Sequence, residues 1–103
     1  MKVIIDNRVV MAIDEFYEAA MSHHISIGEE VVIAKKQRLI DALNSLDKFY
    51  QVYPVARLKK QWIKAGWKEF ICEDFHFAYE VCVNELGESF VWVRDAVHSL
   101  MYR

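Results

Sequence analysis

The chain has 103 residues, 54% hydrophobic and 14% aromatic. That is enough apolar material for one core over residues 1–103 without disulfides or a structural metal, and too little length for a second domain. Thirteen basic against 15 acidic residues give a net charge of -2, which excludes a generally basic nucleic-acid binder and leaves only a local basic patch for that role.

Met1-Lys2-Val3-Ile4-Ile5 lacks the apolar core of an export signal, and no apolar run approaches the ~20 residues of a membrane span. The expectation is a cytoplasmic protein with no membrane partner, in which Cys72 and Cys82 are free, buried thiols.

Val3-Ile4-Ile5 is a short β-branched run and reads as a strand, with Asp6 or Asn7 capping the next element. Val10, Ile13, Phe16 or Tyr17 and Ala20 then recur at helical spacing, and this first helix should fade around Ser22-His23-His24. Ser26, with Glu29 three residues on, has the spacing of a capping box. Val32, Leu39, Leu43, Leu46 and Phe49 or Tyr50 form the second helix's apolar stripe. Tyr53-Pro54 ends it.

Residues 55–66 are ambiguous between a loop and a short helical turn carrying Leu58, Trp62 and Ile63, with Gly66 as the breaker. From there the period falls to two. Residues 67–72 read as a strand and Glu73-Asp74 as a tight turn. Phe75, Phe77, Tyr79, Val81 and Val83 share one face of the next strand, with His76, Ala78, Glu80 and Cys82 on the other. Residues 84–88 form a hairpin loop and 90–97 the last strand. The predicted class is α+β: a short N-terminal strand, two amphipathic helices, then a three-stranded antiparallel meander.

No CxxC, HxxxH or HExxH spacing occurs, so no metal site or cofactor is expected. Cys72 and Cys82 have apolar neighbours and read as inert rather than nucleophilic. Two groups carry possible chemistry. Arg57, Lys59, Lys60 and Lys64 interleave with Trp62, a pattern that can grip phosphates and stack a base, or that can be a solvated segment with Trp62 turned into the core. Arg94, His98, Tyr102 and Arg103 combine a proton exchanger with cations, as metal-free RNA cleavage requires, or are ordinary residues at a strand's end.

Taken in order, the elements resemble the RelE/ParE toxin superfamily over most of the chain. Ile5-Asp6-Asn7-Arg8 into the first helix, Arg38-Leu39-Ile40-Asp41-Ala42-Leu43 with Tyr53-Pro54, Gly66-Trp67-Lys68-Glu69-Phe70 leading to Phe75-His76-Phe77-Ala78-Tyr79-Glu80-Val81, and Val91-Trp92-Val93-Arg94-Asp95-Ala96-Val97-His98 carry the similarity. His76 stands where the family has a basic strand residue, and Glu69 and Glu73 stand where ribonuclease members tend to be basic. The resemblance implies a toxin of a toxin–antitoxin module, causing growth arrest, with a cognate antitoxin as partner. It implies either a RelE-type endoribonuclease acting on ribosome-bound mRNA, or a non-enzymatic ParE-like gyrase inhibitor or inactive binding domain. On the nuclease reading, His98, His76 and Arg94 are the catalytic candidates, and Arg57, Lys60, Lys64 and Lys68 contact RNA.

Overall fold

The computed structural model describes residues 1–23 and 28–102. Its elements are β1 (Lys2–Ile5), α1 (Asn7–His23), α2 (Glu29–Asn44), α3 (Leu46–Phe49), α4 (Lys60–Ala65), β2 (Lys68–Cys72), β3 (Phe75–Val83) and β4 (Ser89–His98), with a 3-10 turn, Ser99–Met101, at the end. The expected capping box at Ser26, along with His24 and Arg103, lies outside the described residues.

The protein is α+β, but its sheet is mixed and four-stranded, in the order β1-β4-β3-β2. β1 runs parallel to β4, while β3 pairs antiparallel with both β4 and β2. β1 thus occupies one edge and β2 the other. No helix among the described residues is long and apolar enough to cross a membrane.

α1 starts where Asp6 accepts the Arg8 amide through Oδ1 at 3.0 Å, satisfying a free donor of the first turn. It buries Val9, Ile13 and Tyr17, a strict four-residue spacing, and leaves Val10 40% exposed. The apolar face is therefore turned one residue from the one expected at Val10. α2 and α3 bury Val32, Leu39, Leu43 and Leu46, and Tyr50 is half-buried while Phe49 points outward. Helices α1, α2 and α3 cover one face of the sheet, against Phe70, Phe75, Phe77, Tyr79, Val91, Val93 and Ala96.

The other face has its own small core. Ala56, Trp62 and Ala78 are buried there, with Trp67, Val97 and Tyr102 packed against them. The ambiguous stretch supplies the cover, folding from Lys60 as the short helix α4. Gly66 stops α4 at φ 74°, in the left-handed region that a side chain disfavours.

One irregularity decides which side chains share a face. Ala78 pairs with Asp95 and Tyr79 with Val93, so Arg94 is an extra residue in β4. Such a bulge inverts the alternation beyond it. Val91 and Val93 are buried before it and Ala96 after it, so His98 comes round to the helix-covered face.

Candidate functional site

The expected site does not assemble as one surface. His98 turns toward α1, where its ring stacks on Phe16 with centroids 3.7 Å apart and meets Phe75 edge-on at 5.1 Å. Its Nδ1 accepts the Leu100 amide at 3.1 Å, holding the 3-10 turn. That bond fixes the neutral ring with its proton on Nε2, and burial pushes its pKa below the usual histidine value. His76 pairs with Val97 across the strands and lies on the opposite face. The two histidines are separated by the sheet.

Arg94 is also engaged elsewhere. Its guanidinium lies 4.0 Å from the Trp92 ring centroid and 5.3 Å from that of Trp67, and Nε is 3.5 Å from the Glu80 carboxylate. Lys68 turns toward the helices and donates to the Tyr50 carbonyl at 3.3 Å. The Tyr79 hydroxyl donates to the same oxygen at 2.6 Å, which satisfies the C-terminal end of α3 twice. Trp62 is fully buried, and its Nε1 donates to Asp95 Oδ2 at 3.0 Å. It belongs to the core and is not free to stack on a base. Cys72 and Cys82 are free as expected but half-buried, and burial raises both thiol pKa values.

What the structure does bring together is Glu69, His76 and Tyr102. Glu69 Oε2 lies 2.9 Å from His76 Nδ1, and Glu69 Oε1 accepts the Tyr102 hydroxyl at 2.7 Å. The Tyr102 ring stacks on the imidazole of His76, centroids 4.1 Å apart and 15° from parallel. The Glu69 and His76 side chains keep 12% and 15% of their exposure. A carboxylate on Nδ1 holds the proton there and leaves Nε2 as the basic nitrogen. Burial and the bond to Glu69 push the Tyr102 phenol up to about 12, so it stays a donor at neutral pH.

Glu69 also lines a groove of about 470 Å³ with Tyr53, Pro54, Val55, Arg57, Leu58 and Ile71. Arg57 is thus the one predicted RNA contact placed beside the cluster. Lys60 and Lys64 are exposed on α4. Among the described residues, none of Arg57, Lys59, Lys60 and Lys64 forms an ion pair. No group of His, Cys, Asp and Glu suited to a metal ion occurs among the described residues.

No family model, curated protein or solved structure matches this chain. Its own geometry therefore carries the functional reading.

Two members of the cluster were undervalued from sequence. Glu69 stood out only as an acid in a place expected to be basic. The signal was in the turn: a two-residue hairpin at Glu73-Asp74 sets Ile71 opposite His76 and Glu69 opposite Ala78. Counting outward from it puts Glu69 and His76 on one face, as diagonal neighbours. Tyr102 reaches them only because the 3-10 turn, tied down by Ser99 donating to the Asp74 carbonyl through N at 2.7 Å and Oγ at 2.8 Å, carries the chain back over the sheet. No local sequence signal announces that return.

Proposed function

We propose that the protein is a RelE/ParE-like toxin of a toxin–antitoxin module, acting as a metal-free endoribonuclease on mRNA, with a cognate antitoxin as its partner. The observation that carries this reading is the Glu69–His76 pair beneath Tyr102, in which Glu69 also lines the groove that holds Arg57. The order of strand, helices and antiparallel-paired strands supports the family reading.

The chemistry needs no metal. His76 Nε2 takes the proton of an RNA 2′-hydroxyl while Glu69 holds Nδ1–H. The 2′ oxygen forms a bond to the adjacent phosphorus, the bond from phosphorus to the 5′ oxygen breaks, and the histidine returns its proton to that leaving oxygen. The products are a 2′,3′-cyclic phosphate and a 5′-hydroxyl. Arg57 faces the negative charge that gathers on the non-bridging oxygens. Lys60 and Lys64 attract the flanking backbone.

The second reading is a non-enzymatic ParE-like gyrase inhibitor or an inactive binding domain. The observation favouring it is that Glu69 and His76 are largely covered, which restricts a substrate's approach to them.

Induced expression separates the two. On the nuclease reading, the parent chain arrests growth, His76→Ala relieves the arrest, and a folded His98→Ala does not. Arrest that persists unchanged in His76→Ala, with message intact, selects the binding reading.

A further inference from the structure

We propose a small-molecule site in the cleft between α1 and the end of β4, taking the amide of an apolar amino acid. The cleft holds about 320 Å³, a size suited to a small ligand. On one side α1 supplies Glu15, Phe16 and Ala19. On the other lie Ala96, Val97 and His98, consecutive residues of β4. The Val97 side chain belongs to the far face of the sheet, packed against the core of Trp62 and Ala78. A wall that includes all of these β4 residues is therefore the strand's backbone edge, not one row of side chains.

That edge is open for a specific reason. β1 covers β4 only as far as Val93, where the Asp6 amide donates to the Val93 carbonyl at 2.9 Å and the chain leaves for α1. Beyond it, the Ala96 amide donates to Asp95 Oδ1 at 2.9 Å. The Ser99 amide donates to the Asp74 carbonyl, on the β3 side, at 2.7 Å. Alternation between these two points turns Ala96 C=O and His98 N–H outward, along the cleft. Among the described residues, no bond outside the strand ladders reaches either group. An acceptor and a donor flanking one residue match the N–H and C=O of a single carboxamide. The opening is too short for a strand, because Asp6 bounds it at one end and the 3-10 turn from Ser99 at the other.

Charge selects the rest of the ligand. Glu15 is the one carboxylate lining the cleft, and no lysine or arginine lines it. Among the described residues Glu15 forms no ion pair. An ammonium group beside Glu15, an apolar group against Phe16 and Met101, and an amide on the strand edge together describe an apolar aminoacyl amide.

The site is independent of RNA cleavage, and so is its test. L-phenylalaninamide is titrated into the full chain by calorimetry, with hydrogen exchange as a second readout. The parent chain is expected to bind it and to gain protection at the His98 amide. Phenethylamine, which lacks the amide, should bind about tenfold or more weakly, the scale of two neutral hydrogen bonds. Phenylpropionamide, which lacks the ammonium group, should bind about threefold more weakly. Glu15→Gln should weaken phenylalaninamide by the same factor and leave phenylpropionamide unchanged. Ala19→Phe, at an exposed helix position, fills the cleft and should abolish binding while the melting temperature stays near the parent's. Equal binding of phenethylamine, binding unchanged in folded Ala19→Phe, or no binding at millimolar ligand overturns the proposal. An apolar pentapeptide that binds where phenylalaninamide does not would overturn it in favour of a strand partner.

Discussion

Trp62→Ala should unfold the second face of the sheet. Trp62 is fully buried against Ala56 and Ala78, with Tyr102 edge-on at 5.8 Å. Truncating a buried tryptophan to alanine costs about 3–5 kcal/mol. The lost bond from Nε1 to Asp95 adds about 1 kcal/mol, reduced from its buried value because Asp95 is half-exposed. Trp62→Phe keeps most of the volume and isolates the bond, so its cost should be the smaller of the two. In a chain of this length each kcal/mol lowers the melting temperature by roughly 4–8 °C. The alanine variant should therefore melt at least about 12 °C below the parent, measured by circular dichroism, with urea denaturation as a second measure. A loss below about 1 kcal/mol for Trp62→Ala would refute the reasoning. It would mean the indole is not a structural pin, and a stacking role toward RNA would return.

Other perturbations probe the same geometry. Burial lowers the His98 pKa, so the unfolded chain binds the proton more readily than the folded one. The stability tied to neutral His98 is complete above the unfolded value of about 6.5 and is lost as pH falls through the folded value. His98→Gln should flatten the acid side of a stability–pH curve, and an unchanged slope would contradict this. Arg94→Ala should cost about 0.5–1 kcal/mol through its contacts with the two indoles, the half-exposed Glu80 pair adding little. It should leave RNA cleavage within about twofold, because ~0.4 kcal/mol or less of barrier separates such rates. Gly66→Ala meets no atom within 4 Å of the new Cβ and is strained only by φ 74°, which should cost about 1 kcal/mol in urea denaturation.

The periodic parts of the fold were legible. Val3-Ile4-Ile5, the α2 stripe and the alternation of Phe75, Phe77 and Tyr79 each arise from one face seeking burial, and the sequence displays that directly. Longer-range facts were not. Nothing near Lys2–Ile5 says that it joins β4 in parallel, because strand partners lie far apart in sequence. The bulge at Arg94 inserts one residue in a run that otherwise alternates, and that single residue sends His98 to the other face from His76. The choice for Trp62 between base stacking and core was settled by Asp95, 33 residues away. The Glu69–His76 pairing was readable in principle from the tight turn, while the arrival of Tyr102 depended on tertiary folding of residues 99–102.

The chemistry of cut RNA ends tests the central claim most directly. Purified chain is incubated with end-labelled mRNA on translating ribosomes, and the reaction is stopped by phenol extraction before the ends are mapped. Metal-free cleavage by His76 predicts 2′,3′-cyclic phosphate and 5′-hydroxyl ends from the parent chain and no cuts from His76→Ala, with Glu69→Gln reduced by about 100-fold, the scale of a positioned proton-transfer group. Ends bearing 3′-hydroxyl and 5′-phosphate, or equal cleavage by His76→Ala, would contradict it.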